Sequence, residues 1–136
     1  MILKTFGYLF AMNRLVNSLW VFVCFTILVW ATRIYNLFRD NEISVGEKTW
    51  SLFVAIIFLL GAVAITRILV GSWRDRNLKK SRLVPAFCIW TMTFWVVRTV
   101  GIVVANHQTG FKLVHVSIAV VFIGFCLIYF IIRPYL

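Results

Sequence analysis

Four long runs of apolar residues, separated by short polar segments, dominate the pattern of the chain. They cover about residues 15–34, 50–70, 85–105 and 113–132. Crossing about 30 Å of hydrocarbon takes roughly 20 mostly apolar helical residues, so each run is long enough for one span. The runs are continuous, whereas the strands of a membrane β-barrel alternate apolar and polar residues. The pattern predicts an all-α integral membrane protein, with four transmembrane helices in an up-down bundle.

The polar segments divide the chain into four parts. These are an amphipathic N-terminal arm (1–14), a first transmembrane hairpin (15–70), a basic connector (71–84) and a second transmembrane hairpin (85–136). The arm places five apolar residues on one helical stripe, namely Ile2, Leu3, Phe6, Leu9 and Phe10. A short interfacial helix fits this stripe, and a simple helical extension of the first span fits it nearly as well.

The basic residues lie mostly on one side of the four predicted spans. That side has eight: Lys4, Arg14, Arg74, Arg76, Lys79, Lys80, Arg82 and Arg133. The opposite side has three: Arg39, Lys48 and Lys112. Since cytoplasmic loops carry the excess of Lys and Arg, both termini and the connector 71–84 are predicted to be cytoplasmic. A bacterial inner membrane or the inner membrane of an organelle fits this orientation.

Composition agrees with a membrane protein and excludes other classes. Of the 136 residues, 62% are hydrophobic and 13% are charged, whereas about a quarter of an ordinary soluble domain is charged. A disordered chain needs few apolar residues, and three cysteines are too few for a disulfide framework. The net charge of +10 is explained by topology, so we expect no nucleic-acid partner. The expected partners are the lipid bilayer and anionic lipids at the basic connector.

The second half of the chain repeats parts of the first at a spacing of 64 to 66 residues. W-x-x-R at 30–33 recurs at 95–98, and G-x-K at 46–48 recurs at 110–112. Further pairs are Asn41 with Asn106, Ser51 with Ser117, Val54 with Val120, Ile57 with Ile123, and Arg67 with Arg133. Two apolar hairpins share letters by chance, but membrane composition does not force Trp, Asn, Lys or Arg. Two tandem hairpins related by duplication would be parallel repeats about an axis along the membrane normal.

Two arginines within the spans are candidates for a functional site. Arg33 lies near the predicted outer end of the first span, and Arg98 lies deeper, about 20 Å along the third. Trp30 and Trp95 precede them by three residues, on the same helix face, and each indole could stack on the guanidinium. Because arginine binds phosphate or carboxylate bidentately, these four residues form a candidate site for an anion or a lipid.

Two other interpretations of these arginines stay open. Each arginine could snorkel to the outer interface, with its tryptophan in the aromatic belt. Arg98 could also form an internal salt bridge with an acidic residue of the first outer connector, the candidates being Asp40, Glu42 and Glu47.

No catalytic, metal or cofactor motif accompanies the arginines. No Asp or Glu lies inside a predicted span, which disfavours a proton-coupled or sodium-coupled carrier. His107 and His115 are not expected to ligate haem or metal. Cys24, Cys88 and Cys126 are expected to be lipid-facing or packed thiols. We therefore expect no cofactor and no enzymatic activity.

By elimination, the sequence favours a non-enzymatic multi-pass membrane protein that acts through helix–helix association. It would be a subunit of a larger membrane complex or a homo-oligomer. Gly101 and Ala105 form a small-x-x-x-small patch suited to close helix packing. The alternative is a small oligomeric transporter, channel or holin-like pore that handles an anionic substrate or lipid.

Overall fold

The protein is all-α. A computed structural model describes residues 2–41, 43–75, 81–106 and 108–135, and the side chains of residues 7, 9–41, 43–71, 81–106 and 108–134. The helices are α1 (Ile2–Arg39), α2 (Val45–Asp75), α3 (Leu83–Val104) and α4 (Thr109–Ile132), followed by a 3₁₀ turn, Arg133–Tyr135. Within the described part of the chain, four helices are long and apolar enough to cross a membrane. The prediction of an all-α fold with four apolar helices is confirmed.

The first two helices extend well beyond the predicted spans. α1 has 38 residues and runs without a break through the predicted arm, as in the helical-extension alternative. The two residues of the arm's apolar stripe whose side chains are described, Leu9 and Phe10, are both exposed. α2 has 31 residues and ends at Asp75, so the beginning of the predicted connector 71–84 is helical. Polar residues continue each helix because backbone hydrogen bonding does not stop at the edge of the hydrocarbon.

The side chain of Ser44 caps the beginning of α2. The hydroxyl of Ser44 accepts a hydrogen bond from the Glu47 N–H (3.3 Å) and donates one to the Glu47 carboxylate (3.2 Å). This satisfies one of the N–H groups that lack a partner within the helix. The chain therefore turns back into α2 after only five residues outside the helices, 40–44.

The helices pack as two hairpins, α1 with α2 and α3 with α4. In the first hairpin, the Trp30 indole stacks on the Phe58 ring, with centroids 4.6 Å apart and planes at 20°. Closer to the turn, the Arg33 guanidinium donates a hydrogen bond to the Ser51 hydroxyl (3.5 Å). The buried hydroxyl of Thr26 donates to the carbonyl of Phe22 one turn earlier (2.8 Å).

The second hairpin is built on the same contact. The Trp95 indole stacks on the Phe122 ring, with centroids 5.1 Å apart and planes at 17°. At the turn, the ammonium group of Lys112 donates a hydrogen bond to the carbonyl of Val103 (2.9 Å). That carbonyl belongs to the last turn of α3, where a carbonyl oxygen has no N–H group of the same helix as its hydrogen-bond partner.

The two hairpins correspond residue by residue. α1 and α3 end 65 residues apart, at Arg39 and Val104, while α2 and α4 begin 64 residues apart, at Val45 and Thr109. From Leu19 onward, each buried position of α1 recurs as a buried position of α3 at the spacing of 65. The pairs are Leu19/Val84, Phe22/Phe87, Val23/Cys88, Thr26/Thr91, Trp30/Trp95 and Leu37/Ile102.

The second helices of the hairpins match in the same way, at a spacing of 64. Their buried pairs are Ala55/Ala119, Phe58/Phe122, Ala62/Cys126 and Ile65/Tyr129. Agreement in helix ends, burial and ring stacking favours duplication over chance similarity. The spacing of 66 that pairs Ser51 with Ser117, Val54 with Val120, Ile57 with Ile123 and Arg67 with Arg133 is wrong. A spacing of 64 at Gly46 could change to 66 only if α4 had two more residues than α2 over this stretch, and both helices are continuous there.

Candidate functional site

The two tryptophans of the predicted anion site lie in the hairpin cores. Trp30 and Trp95 are only 6% and 4% exposed, because each indole covers the phenylalanine ring of the neighbouring helix. They are the central packing contact of each hairpin. An anion that approached either arginine from outside its hairpin would find no exposed indole ring beside the guanidinium.

The two arginines occupy equivalent positions but different surroundings. Arg33 is half-buried and reaches Ser51 on α2. Arg98 is exposed, and the structure shows no hydrogen bond or ion pair from it to a described residue of its own hairpin. His115 replaces Ser51 at the equivalent place in α4, with its Nδ1 atom 2.9 Å from the carbonyl oxygen of Phe111.

The two arginines lie at the same distance from the ends of their helices. Arg33 lies six residues before the end of α1, and Arg98 lies six residues before the end of α3. At 1.5 Å per residue, both lie about 9 Å from the end of their helix. The sequence-based estimate ended the first span at residue 34, whereas the helix continues to Arg39.

Most of the basic connector lies outside the described residues. Arg76, Lys79 and Lys80 are not described, and the same holds for the side chain of Arg74. Arg82 is exposed and directly precedes α3. Beside it, the hydroxyl of Ser81 accepts a hydrogen bond from the Leu83 N–H (3.3 Å), which satisfies one donor of the first turn of α3.

An exposed strip of uncharged side chains runs along α3. Thr93, Val97 and Gly101 follow one another at four-residue spacing and are all exposed, so they share one helix face. A Cβ atom added at Gly101 would meet nothing within 4 Å. The predicted patch of Gly101 with Ala105 needs correction, because α3 ends at Val104 and Ala105 has an extended backbone. The residue one turn before Gly101 on this face is Val97, and we call Thr93, Val97 and Gly101 the α3 strip.

A buried cluster of polar side chains joins α3 to α4. Cys88 on α3 and Cys126 on α4 are 1% and 0% exposed. One turn further along each helix lie Thr91 and Tyr129, whose hydroxyls are buried and have no hydrogen-bond partner. Burial of these two cysteines agrees with the expectation of packed thiols, and Cys24 is exposed.

The sequence analysis missed that these four residues are all buried. Cys88 and Cys126 are separated by 38 positions and belong to no metal-binding or redox motif. The usable signal was the repeat, read at the correct spacing. It pairs these cysteines with Val23 and Ala62 and pairs Tyr129 with Ile65, so three apolar positions of the first hairpin are replaced by polar or soft side chains in the second.

Comparison of the chain with protein-family models, with curated proteins and with solved structures gave no match. What the protein does is therefore argued from its own residues.

Proposed function

We propose that the protein acts through helix–helix association in the membrane, as a subunit of a larger membrane complex or as a homo-oligomer, and has no enzymatic activity of its own. Gly101 carries this proposal. It lies inside α3, where glycine is less favourable than alanine by roughly 0.5–1 kcal/mol. No neighbouring group in the described chain requires a glycine at this position, because a methyl group added there would meet open space. A helix from another chain would use that space.

The surroundings of Gly101 support the same proposal. Small residues let two helix backbones approach closely in lipid, where the hydrophobic effect does not drive association. Gly101 continues a face formed by Thr93 and Val97. The Thr93 hydroxyl and the exposed guanidinium of Arg98 are polar groups on the outer surface of an apolar helix, where a protein partner would offer acceptors that lipid tails lack.

In this proposal the termini and the connector 71–84 lie on the cytoplasmic side, and the connector binds anionic lipid headgroups. The count of basic residues supports the orientation. Each Lys or Arg near an anionic surface adds about 1 kcal/mol of attraction.

Native mass spectrometry from mild detergent tests the association. The wild type is expected as a closed homo-oligomer or as a complex with other membrane subunits, and Gly101→Leu is expected to shift it toward monomer. Gly71→Leu is the matched control, because Gly71 is also an exposed helical glycine facing open space. A wild type that is strictly monomeric in detergent and in lipid nanodiscs would overturn the proposal, and so would equal loss of assembly in both variants.

Arg98 favours a second candidate, a small oligomeric pore or carrier for an anionic substrate or lipid. Its guanidinium is exposed on the same side of α3 as part of the α3 strip, so association through that strip would bring it to an interface between subunits. Anion flux into proteoliposomes that falls in Arg98→Leu, while the oligomer stays intact, would support this candidate. Absence of flux in the intact wild-type oligomer would remove it.

A further inference from the structure

The surface of α1 carries a row of residues that corresponds to the α3 strip. Leu28, Thr32 and Asn36 follow one another at four-residue spacing and are all exposed, so they share one helix face. We call these three residues the α1 strip. At the repeat spacing of 65 they are the equivalents, in order, of the three residues of the α3 strip. The chain therefore presents the same face twice, with different side chains.

The two strips lie at the same depth. Asn36 lies three residues before the end of α1 at Arg39, and Gly101 lies three residues before the end of α3 at Val104. Successive spans of a four-span chain alternate in direction, so α1 and α3 run the same way across the membrane. When two copies lie side by side in one bilayer, the α1 strip of one copy is level with the α3 strip of the other.

The strips are complementary in size and polarity. Asn36 presents a carboxamide, which both donates and accepts hydrogen bonds. At the same level Gly101 presents bare backbone with open space beside it. Lipid tails offer a carboxamide no hydrogen-bond partner, whereas a neighbouring helix does. Association of helices in lipid uses small residues for close approach and Asn or Thr side chains for hydrogen bonds, and the two strips supply both.

A negative charge lies at the outermost turn of the α1 strip. The backbone N–H of Asp40 donates a hydrogen bond to the carbonyl of Asn36 (3.0 Å), so Asp40 continues the row by one turn. Its equivalent in the second hairpin is Ala105. Three of the four acidic residues of the chain lie between positions 40 and 47, and none lies after Asp75. The second hairpin therefore has no carboxylate side chain.

The second hairpin places positive charge at the corresponding level. The ammonium group of Lys112 donates a hydrogen bond to the carbonyl of Val103 (2.9 Å), one residue before the end of α3. Asp40 lies one residue beyond the end of α1. Arg98 adds a second, exposed cation on α3. Complementary charges on two surfaces favour the correct orientation and register of the partners.

We propose that the α1 strip of one copy packs on the α3 strip of a second copy, with Asn36 against Gly101 and Asp40 paired with Lys112. This inference rests on the proposed association and names its partner as another copy of the same chain. A second copy already carries both the matching strip and the opposite charge at the required depth. Each copy has one strip of each kind, so the contact closes as a ring, or as a dimer that forms it twice.

An exchange of charges tests the pairing. Asp40→Lys and Lys112→Asp each place like charges opposite each other, so each variant alone should associate about 10-fold more weakly than the wild type. The two variants coexpressed should recover the oligomer with equal numbers of each chain, because every contact then joins a cation to a carboxylate. Native mass spectrometry with mass-tagged chains measures both results. Arg67→Asp, which reverses an exposed cation elsewhere on α2, should leave association unchanged.

Disulfide cross-linking tests the packing of the strips without altering their charges. In a cysteine-free background, Thr32→Cys and Val97→Cys are placed on separate chains with different tags, at equivalent positions of the two strips. Oxidation in the membrane should join the differently tagged chains, while either variant alone should stay uncross-linked. Ile56→Cys with Val120→Cys is the matched control, because these residues are equivalent on α2 and α4 and are both exposed. This pair should not cross-link.

Three results would overturn the arrangement and leave the proposed association intact. They are a charge-exchanged mixture that associates no better than its separate variants, cross-links confined to chains of the same kind, and a wild type that assembles only with other proteins. In each of these cases the wild type is still an assembly. A strictly monomeric wild type would instead overturn both the arrangement and the association.

Discussion

Thr26 and Thr91 are equivalent residues that use their hydroxyl groups differently. Both are fully buried, but Thr26 donates a hydrogen bond to Phe22 and Thr91 donates to no described residue. Valine has nearly the shape of threonine and removes only the hydroxyl. We expect Thr26→Val to lower the free energy of unfolding by about 0.5–1.5 kcal/mol, the usual net contribution of one hydrogen bond. Thr91→Val should leave it unchanged or raise it.

Unfolding titrations in mixed micelles, at neutral pH and without added metal, measure this pair of variants. Each threonine serves as the control for the other, since volume, burial and helix position match. An equal loss of stability in both variants would contradict the difference in hydrogen bonding.

Arg98 and Arg33 form a second matched pair. Arg98→Leu removes an exposed cation from an apolar helix, and a central arginine costs roughly 2.5–3.5 kcal/mol to insert, so folding of the monomer should not suffer. We expect the variant to lose assembly, because it lacks the guanidinium that would contact a partner in the wild type. Arg98→Lys should also assemble poorly, since an ammonium group cannot form bidentate contacts.

Arg33→Leu should behave differently, because the guanidinium of Arg33 is engaged with Ser51 inside its own hairpin. We expect a loss of about 1 kcal/mol in hairpin stability and little change in oligomer mass. Native mass spectrometry and unfolding titrations on the same preparations separate the two effects. If Leu, Lys and Arg at position 98 gave the same oligomer, Arg98 would be a snorkelling residue without a partner.

At the scale of the elements, the stacked ring pair is the central contact of each hairpin. Trp30 covers Phe58 and Trp95 covers Phe122 with nearly the same geometry. Truncating a large buried aromatic residue costs about 3–5 kcal/mol, since it removes packing contacts and leaves a cavity. We expect Trp30→Ala and Trp95→Ala to lie in this range and close to each other, as measured by thermal unfolding in detergent. A large loss in only one hairpin would show that the repeats do not share their packing.

The centres of the helices were predictable from the sequence and their ends were not. Four apolar runs identify four helices because only helices of that length satisfy the backbone in lipid. Hydropathy stops at the edge of the hydrocarbon, whereas helical hydrogen bonding does not, so Arg39 and Glu47 are helical although they are polar. The predicted end of the first span at residue 34 therefore falls short of the end of α1 at Arg39.

The buried cluster of the second hairpin was not predicted from the sequence, for a related reason. Letter matches such as Ser51 with Ser117 suggested a spacing of 66, while packing follows the helix ends and requires 64. Only the spacing of 64 pairs Cys126 with Ala62. This pairing shows that a cysteine replaces an alanine at the equivalent buried position of the second hairpin. The W-x-x-R match paired Trp30 with Trp95 and Arg33 with Arg98, but it did not show that both tryptophans are buried and that Arg98 is exposed.

At the scale of the whole molecule, the orientation of the four spans can be tested directly. Single cysteines introduced in a cysteine-free background at Asn41 and Gln108, both exposed in the turns of the hairpins, should react with an impermeant reagent only from the outer side. A cysteine at Asn77, in the basic connector, should react only from the cytoplasmic side. Labelling of intact cells and of inverted vesicles distinguishes the sides, and one reversed position would refute the four-span orientation.

The short turns of the hairpins determine what the outer surface can meet. If the predicted orientation holds, that surface consists of residues 40–44 and 105–108 between helix ends. Proteases and antibodies act on exposed loops that extend away from a packed fold. Turns as short as these contain almost no such segment. A soluble protein arriving from that side would meet only these two turns between the four described helices. A signal from outside would then act on the two hairpins as a small solute, or laterally through lipids and other membrane proteins.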